Sequence, residues 1–221
     1  MPVLTISREF GSQGSFIAEQ AAQALGYHYV TKQTLGTILN QYGLVGFQRE
    51  YETAPGFWDR FDTQRLEIVE MLNRVSRSLA RHGNVVILGR GSFAILAGLA
   101  GVLHARIQAP LALRVERVMA RDAIADHASA LALVKETDRV RAAFIESFYG
   151  VHWNDARLFD VVIDTGKISP SLATDWLVAA MRALPPAAAA EASAALPADP
   201  VLDSVVAGEL NTGFKRIERG G

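Results

Sequence analysis

The chain contains no cysteine among its 221 residues, which excludes disulfide bonds, thiolate metal ligands and a thiol nucleophile. It also has no excess of one charge, because 22 lysines and arginines face 23 aspartates and glutamates, for a net charge of -1. No overall basic field is therefore available to hold nucleic acid or an anionic membrane, and we expect neither as a partner. Any anion site must be local.

Long hydrophobic runs and leader signals are also missing. No apolar run approaches the roughly 18 residues that span a bilayer, and no basic and apolar leader precedes the first predicted strand. The hydrolase signatures G-x-S-x-G and H-E-x-x-H do not occur, and the 5 histidines lack the spacing of a metal site. We therefore expect a cytoplasmic protein with neither hydrolase chemistry nor a histidine-bound metal.

What the sequence does contain is an alternation of short aliphatic runs with longer segments of helical period. This pattern is typical of an α/β fold, with a parallel sheet covered by helices. Runs such as VVIL are apolar at consecutive positions, which favours strands buried on both faces. The predicted strands are Val3–Ser7, Tyr27–Val30, Val85–Leu88, Val102–Gln108 and Phe159–Asp164.

Helical periodicity occupies the segments between these strands. It is clearest in Phe61–Arg81, where apolar residues recur at spacings of three and four before Gly83. The other predicted helices are Gly14–Leu25, Lys32–Tyr42, Pro110–Arg121, Ala128–Phe148 and Ser169–Leu184. Residues 1–184 are therefore predicted to form one domain.

The composition changes abruptly after Leu184. Eight alanines and four prolines lie between Pro185 and Pro200, which is typical of a linker rather than of a core element. We therefore predict a linker at residues 185–200, followed by a C-terminal tail at residues 201–221 with one short helix at Leu202–Leu210.

The most informative segment begins where the first predicted strand ends. In TISREFGSQGSFIAEQAAQALGYHYV, a glycine-bearing loop separates that strand from an Ala-rich helix. Glycines let backbone amides converge on an anion, and a helix N-terminus adds unpaired N–H groups, so this layout favours phosphate binding. The usual form G-x-x-x-x-G-K-[ST] also supplies a lysine. Here no lysine precedes Lys32, and Arg8 is the candidate cation.

The loop also has a purely structural interpretation. A GSQG turn can join a strand to a helix without any ligand, and a serine near a helix start is often only a cap. Ser12 and Ser15 are thus candidates either for phosphate or magnesium contacts or for capping. Gln13 can donate to a phosphate but has no charge.

Four segments of the chain together carry a family resemblance. They are ISREFGSQG, VVILGRGSFAIL, VLHARIQAPLALRVERVMARD and DRVRAAFIESFYGVHWNDARLFDVVIDTGKIS. In this order they resemble segments of the cytidylate kinase-like family of P-loop nucleoside monophosphate kinases. The opening of that family has a usual form close to ISREFGSGGREIA. The resemblance covers Val3 to about Arg182.

The resemblance implies a P-loop NTPase-type fold with three layers, a parallel five-stranded sheet, a helical insertion for the monophosphate and an arginine-bearing lid. It implies ATP and Mg2+ as cofactors and a small phosphate acceptor. The residues that would surround the donor phosphates are Gly11, Ser12, Gln13, Gly14 and Ser15. Asp164, Thr165 and Gly166 would lie near the adenine, and Arg90 would contact the acceptor phosphate. The catalytic lid cations would be Arg114, Arg117, Arg139 and Arg141.

The chain also departs from the family pattern. Gln13 stands where the family usually has glycine, and Ser15-Phe16 where it often has Arg-Glu. Leu88 stands where authentic cytidylate kinases have an aspartate, and Thr31 where an acidic residue is usual. Nucleotide binding is therefore better supported by the sequence than phosphoryl transfer.

The arginines allow two interpretations. Arg114, Arg117 and Arg121 recur at spacings of three and four, which places them on one helix face. They either contact phosphates or form a solvated charged face. Arg139 and Arg141 are two residues apart and cannot share a face, so we expect one of them to be structural.

Three functional hypotheses follow from the sequence. The first is an ATP-dependent kinase for a nucleoside monophosphate or a related acceptor, with arginines replacing the loop lysine. The second is a non-catalytic nucleotide sensor or adaptor that retains the fold. The third is an interaction protein whose tail binds a partner or a second copy of the chain.

Overall fold

A five-stranded parallel sheet forms the centre of the molecule, as the sequence predicts. The computed structural model describes residues 2–42, 63–185 and 199–217. The strands are β1 (Val3–Arg8), β2 (His28–Val30), β3 (Val85–Leu88), β4 (Val102–Gln108) and β5 (Val161–Asp164). They lie in the order β2-β3-β1-β4-β5, and every neighbouring pair is parallel.

Helices cover both faces of this sheet and complete the predicted three-layer fold. Their bounds are α1 (Gly14–Leu25), α2 (Lys32–Gln41), α3 (Thr63–His82), α4 (Ser92–Ile95), α5 (Leu111–Asp122), α6 (His127–Tyr149), α7 (Pro170–Ala183) and α8 (Pro200–Ile217). One face is covered by α1 and α7, and the other by α2, α3 and α8. None of the described helices has both the length and the apolar composition that a membrane crossing requires.

Some of the sequence predictions fall outside the described residues. These are the start of the predicted helix at Phe61 and most of the predicted linker, residues 186–198. The insertion for the monophosphate that the resemblance implies falls between α2 and α3, at residues 43–62, which also lie outside the described ranges.

The central strands are apolar at consecutive positions because each face of the sheet meets a helical layer. All of β3 is buried, and Leu4 of β1 has no exposed surface. Leu4 lies between Val86 and Leu103 in the register of the sheet. Double burial of this kind produces a continuous apolar run such as VVIL instead of an alternating one.

Side-chain caps set the starts of several helices. The Thr31 side chain accepts a hydrogen bond from the Thr34 N–H in a capping box at α2, and Asp126 caps α6. Ser169 caps α7 ahead of Pro170. By contrast, α1 starts after Gln13 without a side-chain cap. The first N–H groups of α1 are therefore available to other partners.

The last strand begins two residues later than the sequence predicts. Asp160 precedes β5, and its N–H donates to the His104 carbonyl oxygen at 2.8 Å. Its carboxylate in turn accepts a hydrogen bond from the His104 N–H at 2.7 Å. The Asp160 side chain thus takes the place of one backbone hydrogen bond between β4 and β5, and the regular strand begins only at Val161.

The C-terminal helix packs into the main core. It extends over Pro200–Ile217, beyond the predicted Leu202–Leu210. Leu202, Val206 and Leu210 are buried in the same cluster as apolar residues of α2 and α3. The Asp203 carboxylate accepts hydrogen bonds from Arg81 and from the Ser78 hydroxyl, both on α3. The apolar face of the tail is therefore used within the chain.

We expect Leu202→Ala to lower the free energy of unfolding by about 2–5 kcal/mol, because it leaves a cavity in the core. Leu202 is 1% exposed, whereas its neighbour Val201 is 65% exposed and supplies the matched control. Val201→Ala should change stability by less than about 0.5 kcal/mol. Urea denaturation followed by circular dichroism measures both variants. Equal, small effects would contradict the placement of α8 in the core.

Candidate functional site

The candidate site is built around the loop between β1 and α1, at the carboxyl edge of the sheet. Because β1 is the central strand, this loop lies between the turns that follow β3 and β4. Gly11 and Gln13 both have positive φ values, of 81° and 63°. A Cβ atom on Gly11 would lie 2.7 Å from the Arg114 carbonyl oxygen, so the close approach of α5 requires glycine there.

The two candidate serines of the loop have different environments. Ser12 is fully buried, and its hydroxyl donates to the Glu9 carbonyl oxygen at 2.9 Å. Ser15 is exposed in the first turn of α1 and lines the cavity in front of the loop. Ser12 therefore stabilises the loop from within, whereas the Ser15 hydroxyl is accessible to a ligand.

That cavity, which we call the loop cavity, has a volume of about 480 Å3. One of its sides is formed by the residues from Glu9 to Phe16 other than the buried Ser12. The arginines that line it are Arg8, Arg117, Arg121 and Arg141. Positive charge therefore collects beside the loop, in a chain whose net charge is only -1.

A smaller cavity, which we call the turn cavity, adjoins the first and has a volume of about 90 Å3. It is lined by the turn after β3, where Gly89, Arg90 and Gly91 have φ values of 74°, 60° and 72°. Arg90 thus adopts the left-handed conformation that non-glycine residues rarely adopt. Arg8 and Arg141 line both cavities, so the two spaces share two guanidinium groups.

The shared arginines lie in an unfavourable electrostatic environment. Burial lowers the pKa of Arg8 to about 9, and the positive charges of Arg141 and Arg90 contribute to the same shift. Burial also lowers the pKa of Arg141 to about 10, although the Asp138 carboxylate opposes this shift. A bound anion would favour the charged form of both side chains.

Arg114 does not take the lid position that the family resemblance implies. Its side chain is buried, with Nε donating to the Ala109 carbonyl oxygen at 3.0 Å and Nη1 to the Phe10 carbonyl oxygen at 3.1 Å. It also forms ion pairs with Glu9 and Asp138. These partners use its hydrogen-bonding capacity, so Arg114 anchors the loop instead of facing the loop cavity.

The carboxylates of Glu9 and Asp138 hold the loop through hydrogen bonds from backbone N–H groups. The Glu9 carboxylate accepts a hydrogen bond from the Ala109 N–H at 3.0 Å. The Asp138 carboxylate accepts one from the Phe10 N–H at 2.8 Å. Through these contacts, the loop is fixed to the end of β4 and to α6 before any ligand binds.

Arg117 connects the loop to the turn after β5. Its guanidinium donates to Thr165 Oγ1 at 3.0 Å and to the Thr165 carbonyl oxygen at 2.8 Å. The Thr165 hydroxyl in turn donates to the Ser12 carbonyl oxygen at 2.9 Å. In the same turn, the Asp164 carboxylate accepts a hydrogen bond from the Gly166 N–H at 2.7 Å. The structure therefore brings this turn against the loop.

The two arginines of the D-R-x-R motif point in different directions, as their spacing predicts. The Arg141 guanidinium donates to the Arg8 carbonyl oxygen at 3.0 Å and faces both cavities. Arg139 is 61% exposed and pairs with Glu136 one turn earlier in α6. Arg139 therefore lies outside both cavities and lines a separate surface cavity with Arg114, and its catalytic role remains only what the resemblance implies.

Sequence reasoning assigned no role in the site to Phe10, whose ring lines the loop cavity. Arg121 lies 4.8 Å from the centre of the Phe10 ring, and Arg141 lies 5.5 Å from the same ring. The ring thus contacts two cations that border the cavity. The spacing of Arg121 from Arg117 is a signal for Arg121, whereas nothing in the sequence around Phe10 indicates this contact.

We expect Asp138→Asn to destabilise the fold by about 2–4 kcal/mol, because it removes one of the two carboxylates that compensate the buried charge of Arg114. The matched control on the same helix is Glu136→Gln, which breaks an exposed pair and should cost less than about 1 kcal/mol. Thermal unfolding of both variants at pH 7 tests the difference. Similar melting temperatures for the two would contradict the anchoring role of Asp138.

Comparison with known proteins agrees with this arrangement of strand, loop and helix. The model of the cytidylate kinase-like family matches residues 3–167. The chain therefore belongs to that family. The C-terminal helix α8 lies beyond the matched region.

Individual relatives are more distant. A cytidylate kinase from Pyrococcus horikoshii is 28% identical over 177 residues, which cover 76% of this chain and 82% of that protein. A cytidylate kinase from Methanothrix thermoacetophila is 26% identical over 184 residues, with coverage of 82% and 99%. Among solved structures, an uncharacterized protein from Eubacterium ventriosum has a TM-score of 0.64 at 22% identity, with coverage of 83% and 99%. That structure supports the fold alone.

Proposed function

We propose that this member of the cytidylate kinase-like family binds ATP in the loop cavity and transfers its γ-phosphoryl group to a nucleoside monophosphate or a related phosphate acceptor. The observation that carries this proposal is the pair of adjoining cavities that share Arg8 and Arg141. A kinase needs two phosphate sites in contact, with cations at the point where they meet.

The residues of the loop cavity fit a triphosphate. The uncapped start of α1 offers backbone N–H groups and the positive end of a helix dipole. Arg117, Arg121 and Arg141 supply fixed positive charge on the facing side. The Glu9 carboxylate at the same cavity is paired with the buried Arg114 and accepts a hydrogen bond from the Ala109 N–H. A polyphosphate would therefore meet donors and cations, with little carboxylate repulsion.

The side chain of the loop cavity that would hold magnesium is that of Ser15. Ser15 is the second residue of α1 and its exposed hydroxyl lines the loop cavity, which matches the hydroxyl position of phosphate loops. Among the residues of known placement, no three His, Asp or Glu side chains are grouped to hold a metal. Magnesium usually binds through substrate phosphates and water as well as a few protein oxygens, and it supplies charge neutralisation during transfer.

We assign the acceptor phosphate to the turn cavity. Arg90 lines this cavity together with the two shared arginines. Apart from Ser7 and the glycines of the turn, the remaining lining is apolar or aromatic, formed by Phe93, Val140, Phe144, Ile145 and Trp153. For the nucleotide base of the donor, we keep the turn of Asp164, Thr165 and Gly166 as the proposed neighbour. The contact of Thr165 with Ser12 supports that choice, because it sets this turn beside the phosphate loop.

In the reaction, an oxygen of the acceptor phosphate forms a bond to the γ-phosphorus while the bond from that phosphorus to the β-phosphate oxygen breaks. ADP leaves with the electron pair of the broken bond. The role of the protein is to align the two groups and to neutralise the charge on the migrating phosphoryl oxygens. Arg141 and Arg8 lie where these oxygens would pass between the cavities.

The function is tested by calorimetric titration with ATP and Mg2+, followed by measurement of ADP formation with CMP, dCMP, UMP and AMP as acceptors. We expect ATP binding and ADP formation with at least one acceptor. Binding of ATP without ADP formation in the presence of any acceptor would overturn the transfer step.

We expect Arg141→Gln to reduce kcat by about 10²- to 10³-fold, because it removes a cation that both cavities share. The matched control is Arg139→Gln on the same helix, which removes an exposed arginine outside the two cavities and should leave kcat within a factor of about two. Thermal melting of both variants checks that the fold is retained. Equal kcat values for the two variants would contradict the role of Arg141.

A second candidate function is a non-catalytic nucleotide sensor or adaptor. It is favoured by Gly14 at the start of α1, where a phosphate-loop lysine would otherwise stand. An intact γ-phosphate on bound ATP after long incubation with each acceptor would support this function. The interaction-protein hypothesis is less favoured, because Leu202, Val206 and Leu210 of the tail are buried in the chain's own core.

A further inference from the structure

We propose that Arg8 is the positional substitute for the lysine of a phosphate loop, reaching the phosphates from β1 instead of from the first turn of α1. This inference deepens the proposed function and rests on phosphate binding in the loop cavity. It concerns the chemistry of one side chain, a guanidinium that contacts the β and γ phosphates of a nucleoside triphosphate.

The backbone of the loop sets the register of the comparison. In G-x-x-x-x-G-K-[ST], the second glycine directly precedes the lysine and the helix. Here Gln13 adopts a φ of 63°, the conformation that favours glycine, directly before the first residue of α1. Counting from Gln13, Arg8 takes the first glycine position and Gly14 the lysine position. Ser15 then takes the hydroxyl position.

The packing of Arg8 explains why a lysine is missing at position 14. A Cβ atom on Gly14 would lie 2.5 Å from Arg8 Cβ and 3.2 Å from Ile107 Cβ. No real Cβ makes a contact as short as the first, so any side chain at position 14 competes with Arg8 for the same space. The cation and the glycine have thus exchanged places relative to the usual loop.

A second glycine clears the other end of the Arg8 side chain. A Cβ atom on Gly89 would overlap Arg8 Nη1, so the guanidinium extends from the loop to the turn after β3. This path explains how Arg8 lines both cavities. A planar guanidinium can donate to two phosphate oxygens at once. From this position it can contact a donor phosphate on one side and an acceptor phosphate on the other.

Arg8 lacks the direct carboxylate partner that Arg114 has, although the nearby Asp138 carboxylate favours its charge to a smaller extent than burial opposes it. Its Nε is buried without a hydrogen-bond partner, and no ion pair links Arg8 to any carboxylate in the described part of the chain. The positive charges of Arg141 and Arg90 act on it as well. By contrast, Arg114 is paired with Glu9 and Asp138. An anion in the cavities would supply what Arg8 lacks.

The test uses inorganic tripolyphosphate as the probe, since it carries the phosphate chemistry without a nucleoside. Calorimetry on the full chain should show binding that weakens by about 10- to 100-fold in Arg8→Gln, the loss expected for charge-assisted hydrogen bonds. The control variant Arg157→Gln removes an exposed arginine that pairs with Asp155 and lines neither cavity, and it should bind as the unchanged chain does. Binding equal to that of the unchanged chain in a folded Arg8→Gln variant would overturn the inference.

An exchange of positions gives a second, independent test. Gly14→Lys alone should not increase affinity, because its side chain collides with Arg8. Arg8→Gly alone should lose affinity, and the double variant Arg8→Gly with Gly14→Lys should recover most of that loss. Thermal melting, with and without tripolyphosphate, identifies the variants that fold. A folded double variant that fails to recover binding would overturn the equivalence of Arg8 and the lysine.

The outcomes separate this inference from the proposed function. Tripolyphosphate binding that depends on Arg8, in a chain that forms no ADP with any acceptor, would support the inference and overturn the transfer function. ADP formation that is unaffected by Arg8→Gln would support the transfer function and overturn the inference.

Discussion

Ion pairs from Glu9 and Asp138 hold the loop after β1 against its neighbours, and the geometry of the site depends on them. Both carboxylates pair with Arg114 and also accept backbone N–H groups, from Ala109 and Phe10. Because these contacts compensate the buried charge of Arg114, they can fix the loop without a ligand. The amide groups at the start of α1 are thereby set in place, which would lower the entropy cost of the proposed phosphate binding.

The arginines of the site fall into two groups, which differ in whether a carboxylate compensates their positive charge. Arg114 has carboxylate partners, whereas Arg8 is influenced mainly by burial and by other cations. The first group serves the structure of the loop, and the second leaves its charge available to the cavities. Arg141 belongs to both, since it interacts with Asp138 and also faces the two cavities. This division matters for the proposed function, because phosphoryl transfer needs cations whose charge is not already used by a carboxylate.

Most of the fold could be predicted from the sequence. Apolar residues at consecutive positions predicted the strands, and helical periodicity predicted the helices between them, because both patterns depend directly on which residues are buried. The largest differences occur where a distant contact intervenes. Asp160 uses its side chain in place of a backbone rung with His104, and the tail helix is longer because Leu202 and Val206 find apolar partners on α2 and α3. Neither the contact of Asp160 with His104 nor the apolar partners of the tail can be identified from the residues next to them in the sequence.

For the site, the amino-acid sequence by itself determined the glycine-bearing loop after a buried strand, the absence of a loop lysine and the opposite directions of Arg139 and Arg141. All three depend only on neighbouring residues, namely on which residue types the loop contains and on which helix face each arginine lies. Only the tertiary structure decided that Arg114 is an anchor while Arg117 and Arg121 face the cavity, although all three share a helix face. It also decided that Arg8 fills the space above Gly14. The reason is that the role of a charge depends on which groups compensate it, and those groups come from distant parts of the chain.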